Sequence, residues 1–131
     1  MPKVITSREA AALVQDNMTV AVGGFITYGV PEDCLVSLQK RYVETSSPKD
    51  LTLLHIAAVG DGAEGGANHF GEPGLCKRMI CAHIGLEPRL NALAVSNQIE
   101  AFLIPQGVAS HLTRAIAGKK PGVLTHVGLK T

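Results

Sequence analysis

Tryptophan is absent from the sequence, and aromatic residues make up 4% of its 131 positions. That argues against the stacking platforms on which single-stranded nucleic acid is held. A surplus of either charge is missing too: 12 Lys and Arg against 11 Asp and Glu leave a net charge of +1. No basic face for nucleic acid is therefore expected, and there is no acidic tail. No apolar run approaches the roughly 20 residues needed to span a bilayer. Residues 1–5 lack the extended apolar segment of a signal peptide, so a cytoplasmic chain without a membrane partner is expected. Cysteine is scarce. Cys34, Cys76 and Cys81 include no Cys-x-x-Cys pair, so no disulfide framework is expected. Cys76, Cys81 and His83 lie near one another in sequence, but their spacing fits no common zinc pattern; buried, reduced thiols and no metal are the expectation.

What is present is a core. Hydrophobic residues make up 46% and charged residues 18%, which suits one folded domain over residues 1–131. Thr6-Ser7-Arg8-Glu9 predicts a capping box, with a short helix over residues 10–14. Residues 19–22 predict a buried strand broken by Gly23 and Gly24. Pro31 suits a first helical position. Glu32 and Asp33 would then lie in that helix's first turn and Lys40 and Arg41 in its last, with Leu35, Leu38 and Tyr42 on its apolar face. Residues 46–50 form a loop, and residues 51–58 predict a second buried strand. A glycine-rich loop spans 60–68, and a short strand 78–82. Pro88 opens a helix to about Asn97. Residues 99–104 predict a strand, and 107–117 a helix with Val108, Leu112 and Ile116 on one face and Gly118 as its C-cap. Residues 123–127 predict one more strand. Strands alternating with helices imply an α/β fold: an open, mainly parallel sheet with flanking helices.

In such sheets ligands bind beyond the carboxyl ends of the strands. Three segments would converge there: Gly23-Gly24-Phe25, the loop from Gly60, and Pro105-Gln106-Gly107. Glycines let the backbone approach a ligand, and helix starts hold anions; the plainer reading is three tight strand-to-helix turns. Gly60, Gly62 and Gly65 match the spacing of a dinucleotide fingerprint, but no helix clearly opens on them. Gly118-Lys119-Lys120 lacks the hydroxyl residue of a phosphate-binding loop.

The stretch over residues 16–31 contains an acidic-amide turn, an apolar run, Gly23-Gly24-Phe25, three free positions and Gly29-Val30-Pro31. It resembles the N-terminal signature of the family I coenzyme A transferases. Ala82-His83-Ile84-Gly85-Leu86-Glu87-Pro88, the segment around Gln106-Gly107, and Lys120-Pro121-Gly122 onward are similar to further segments of that family, so the resemblance covers essentially the whole chain. It points to the single-chain branch that includes propionate and acetate CoA-transferases, and implies an incomplete N-terminal lobe of that fold.

The resemblance implies an enzyme that moves CoA between an acyl-CoA and a short carboxylic acid, as in short-chain fatty acid or ketone body metabolism. In the family a glutamate attacks the thioester and forms an anhydride, which CoA thiolate converts to a glutamyl-CoA thioester. Gln106 matches the family glutamine at the reacting thioester, where its amide can donate without carrying a charge. Gly23, Gly24, Phe25, Gly60 and Gly107 would join it in binding substrate, with Phe25 and its adjacent glycines lining the acyl pocket. CoA thioester enters as substrate, and no permanently bound cofactor is implied. The nucleophilic glutamate sits in a Glu-x-Gly-x-x-Gly motif. Glu64 and Glu72 lack the second glycine of that motif, and Glu87 lacks the first. The chain alone is thus expected to be inactive, needing a C-terminal part or a partner chain, and to form a homo-oligomer at full length. Ala82 and Lys130 depart from the family pattern. The alternative is a non-catalytic CoA- or nucleotide-binding α/β module.

Overall fold

The computed structural model describes residues 3–130. Four strands form one sheet: β1 (Thr19–Ala21), β2 (Leu51–Leu54), β3 (Cys76–Cys81) and β4 (Glu100–Leu103). They lie in the order β1-β2-β3-β4, and every neighbouring pair is parallel. Parallel neighbours require crossovers. These contain α2 (Glu32–Thr45) between β1 and β2, a 3₁₀ turn (Ala67–Phe70) between β2 and β3, and α3 (Pro88–Val95) between β3 and β4. α1 (Ser7–Ala12) precedes the sheet and α4 (Gln106–Ala117) follows it. The α/β reading of the sequence is the observed architecture.

Local chemistry explains most boundaries. The Thr6 hydroxyl accepts the Glu9 N–H at 3.2 Å while Glu9 accepts the Thr6 N–H at 2.8 Å, closing the capping box. Hydrogen bonds donated by the Thr6 N–H and hydroxyl hold the Glu9 carboxyl below its ordinary range. Pro31 is the cap residue and the helix begins at Glu32, one residue later than expected. Leu35 and Leu38 are buried, and Tyr42 packs on the core while its hydroxyl donates to Pro73 O at 2.6 Å.

Several expectations are corrected. α2 continues to Thr45, so Lys40 and Arg41 are interior to it and do not complement its last turn. Arg41 instead donates to Ala11 O and Val14 O at 2.6 and 2.7 Å, tying α2 to the end of α1. β1 is not buried. It is an edge strand with Thr19 and Ala21 exposed, and the fully packed residue is Val22 just beyond it. β2 ends at Leu54, and the chain bends at Ile56 and Ala57. No strand forms over residues 123–127. That segment pairs with no strand among the described residues and closes in a turn, with the Leu129 N–H on His126 O. On α4 the buried residues are Ala109 and Ala115; Val108 and Leu112 are half-buried and Ile116 is exposed.

The core joins α2, β2, β3, the 3₁₀ turn and α3 through Leu35, Leu38, Leu53, Phe70, Met79 and Leu90. A polar chain runs along its rim. Glu32 accepts the Gly66 N–H (2.9 Å) and meets His69 (2.7 Å), and His69 meets the Gln39 amide oxygen (2.6 Å). The Gln39 amide and Arg89 both donate to Glu72. Arg89 and Gln39 hold the Glu72 carboxyl below its ordinary range.

Candidate functional site

Four parallel strands place their carboxyl ends along one edge, where α/β sheets bind ligands. After β1 the chain passes Val22 and turns at Gly23 and Gly24. Gly24 has φ +136°, a conformation open to glycine. Phe25 and Tyr28 close a tight turn through two backbone hydrogen bonds, and the Ile26 N–H donates to Ala58 O at 2.8 Å. That last bond brings the Phe25 turn against the segment after β2. Ile26 holds φ +59°, strained for a β-branched residue.

Gly60 is packed for a steric reason. A Cβ there would lie 2.3 Å from Leu86 O. The following loop folds on Asp61, which accepts the Ala63 and Gly65 N–H groups at 2.8 and 3.0 Å. These hydrogen bonds hold the Asp61 carboxyl below its ordinary range. A 210 Å³ cavity opens between the two loops, lined by Ile26, Thr27, Val30, Glu32, Asp61 and the Gly65-Gly66 backbone. Phe25 is not among its walls and its side chain is 56% exposed.

Gln106 is the first residue of α4 and is exposed. Gly107 borders a second cavity of 520 Å³, walled by Val108 and His111 of α4 and by the 123–127 segment. Thus the Phe25 turn and the Gly60 loop meet, whereas Gln106 and Gly107 follow β4 at the far end of the strand order. Among the described residues no hydrogen bond links them to the first two loops.

Sequence reasoning missed a buried cluster at the same edge. His55 directly follows β2, Cys81 ends β3 and Glu87 caps α3. All three are buried, and one ligand atom from each lies within 4.8 Å of the others. His55 Nε2 is 3.3 Å from Glu87 Oε2. The His55 Nδ1–H donates to Ala57 O at 2.5 Å, and Glu87 Oε1 accepts the Val59 N–H at 2.8 Å. Burial alone would lower the His55 pKa. The neighbouring Cys81 sulfur, the Glu87 carboxylate and Ala57 O together outweigh it and push His55 up to about 10. A titratable residue inside the apolar run Leu53-Leu54-His55-Ile56-Ala57 was the available signal. The cysteine that the sequence grouped with Cys76 and His83 meets this pair instead.

The fold is an open parallel α/β sheet with glycine loops at the carboxyl ends of its strands. The coenzyme A transferase family model matches residues 4–131, and the chain belongs to that family. It is 39% identical over its whole length to caffeate CoA-transferase of Acetobacterium woodii, of which it covers 25%. It is 30% identical to the acetate CoA-transferase subunit alpha of Escherichia coli K12, with 98% of this chain matched to 56% of that subunit. The crystal structure of the acyl-CoA transferase YdiF from E. coli O157:H7 superimposes with a TM-score of 0.92 at 31% identity, over 98% of this chain and 25% of that one. The same protein described as a thioester complex with CoA gives 0.91 at 31% identity, over 97% of this chain and 26% of that one. The chain therefore spans about a quarter of caffeate CoA-transferase and of YdiF, and about half of the alpha subunit. Among the described residues no helix is long and apolar enough to cross a membrane.

Proposed function

We propose that this chain supplies the Gly23-Gly24-Phe25, Gly60 and Gln106-Gly107 loops of an acyl-CoA:carboxylate CoA-transferase acting in the cytoplasm on an acyl-CoA and a short carboxylic acid. The observation that carries the reading is the fit to YdiF, a protein captured as a CoA thioester complex, across nearly all of this chain. Gln106 stands at the N-terminus of α4, where its amide and the helix's free N–H groups offer donors to a thioester oxygen that gains charge in the transition state. Gln106 brings no charge of its own to desolvate. Phe25, exposed beside the loop turn, offers an apolar wall to an acyl group.

The attacking carboxylate comes from outside these 131 residues, from further sequence or a second chain. Besides failing the motif, the three candidate glutamates are engaged elsewhere: Glu64 with Arg89, Glu72 with Arg89 and Gln39, Glu87 with His55 and the Val59 N–H. The test is transfer of labelled CoA from acetyl- or propionyl-CoA to a free acid, with mass spectrometry of any CoA adduct on protein. The chain alone should give neither transfer nor adduct. When the complementing sequence is supplied, transfer should appear, and Gln106→Ala should lower kcat about 10²–10³-fold, the loss typical of a single oxyanion donor. A CoA adduct on Glu64, Glu72 or Glu87 would overturn this reading.

A further inference from the structure

We propose that His55, Cys81 and Glu87 form a buried site for a divalent cation of the zinc class. His55 Nε2 and Glu87 Oε2 are the two buried side-chain polar atoms without a hydrogen bond among the described residues. They face each other at 3.3 Å, with the Cys81 sulfur in the same group. They meet as a buried ion pair without hydrogen-bond geometry, and buried polar atoms that lack it need a physical reason. A cation held between them and the Cys81 sulfur supplies one.

The remaining atoms of the same side chains are already held. His55 Nδ1–H is anchored on Ala57 O, and Glu87 Oε1 on the Val59 N–H. Such outer hydrogen bonds fix the ring and carboxylate of metal ligands and leave the other atom free to coordinate. Spacing agrees. Bonds of about 2.0–2.3 Å from zinc to N, O and S put two ligands of one tetrahedral ion roughly 3–4 Å apart. The three ligand atoms lie within 4.8 Å of one another, so small movements bring them onto one ion and leave its fourth position to water or another donor. Imidazole, thiolate and carboxylate together suit zinc better than magnesium or calcium, which take oxygen ligands. Zinc bound this way would pin the ends of β2 and β3 to the start of α3, beneath the glycine loops. The competing arrangement is a metal-free buried pair of imidazolium and carboxylate, whose desolvation offsets much of its attraction.

The experiment adds cobalt(II), then zinc, to the purified reduced protein. It follows the thiolate-to-cobalt charge-transfer band, bound metal per chain and the thermal midpoint with and without a chelator. One equivalent is expected, with the thiolate band present in the unmutated protein and a midpoint lowered by chelation. The band should vanish in Cys81→Ala and persist in Cys34→Ala and Cys76→Ala. If Cys81→Ala does not fold, persistence in the other two assigns the sulfur by elimination. Glu87→Gln should weaken binding at least about 10-fold, within the range for loss of a metal-site contact. Absence of the thiolate band in the unmutated protein, or its loss in Cys34→Ala or Cys76→Ala with Cys81→Ala unaffected, overturns the site and leaves the buried ion pair. The readouts are independent of CoA transfer.

Discussion

β2 and β4 are both four-residue parallel strands, yet Leu51, Thr52 and Leu53 are buried while every residue of β4 is exposed. β2 has a strand on each side, and its two faces are covered: Leu51 and Leu53 enter the core, and Thr52 is buried on the other face. β4 pairs with β3 alone, and Phe102 and Leu103 are 51% and 57% exposed. The same contrast holds between helices. α2 buries Leu35 and Leu38, whereas α4 buries two alanines and leaves Ile116 exposed. Apolar patterning is thus satisfied in one part of the molecule and left facing outward in the other, and clustered exposed apolar side chains mark surfaces made for contact.

The largest effect that tests this contrast comes from paired truncations. Phe70 of the 3₁₀ turn is fully buried, so Phe70→Ala should cost about 3–5 kcal/mol. Phe102→Ala, on a half-exposed side chain resting near Arg78, should cost less than about 1 kcal/mol. Urea midpoints at constant slope measure both. Equal losses would break the comparison and mean that β4 is covered in solution.

Glycines sharpen it next. At Gly60 the nearest obstacle to a Cβ is the Leu86 carbonyl, which is backbone and cannot swing aside. Gly60→Ala should therefore cost about 1–3 kcal/mol, the usual range for overpacking. A loss under about 0.5 kcal/mol, the scale of an ordinary surface change, would show the loop to be soft.

How much of this was legible beforehand follows the range of each interaction. The Thr6–Glu9 box, the break at Gly23-Gly24 and the helix opening at Pro88 depend on residues a few positions apart, and each stands where the sequence put it. The end of α2 was misjudged because basic residues were taken to mark a last turn, whereas the helix runs on to a left-handed cap at Ser46 and Arg41 serves a tertiary contact with Ala11 O and Val14 O. The 123–127 strand was misjudged because an apolar run shows only that a segment can extend, whereas a strand also needs a pairing edge. In the candidate site, the glycine turns after β1 and β2 were legible as turns. The His55–Cys81–Glu87 cluster was not, because its members come together only when β2, β3 and α3 are in register.

The polar rim belongs to the well-packed part: among the described residues no ion pair involves a residue beyond Glu100. Glu72 titrates below its ordinary 4.5 because Arg89 and Gln39 hold the charged form. Its contribution is therefore present above that value and lost as pH falls through 4.5 toward the lower folded value. Unfolding free energies measured from pH 6 down to about 3 should show this loss, and Glu72→Gln should flatten the profile by about 1 kcal/mol, modest because the pair is partly solvated. An unchanged profile would mean that the rim does not stabilise the packed half.

The smallest effect runs the other way. Gly107 sits in the first turn of α4, a Cβ there meets nothing within 4 Å, and its φ is not in the left-handed region. Alanine should therefore stabilise the helix by up to about 0.5–1 kcal/mol, the propensity difference from glycine. The proposed substrate role gives this glycine a use that the packing of the chain itself does not. Gly107→Ala should then raise the urea midpoint slightly while lowering CoA transfer in the complemented enzyme, a separation that a purely structural glycine does not show. If instead the midpoint falls, the space over α4 is occupied by protein, and the exposed half of the comparison is a packed surface.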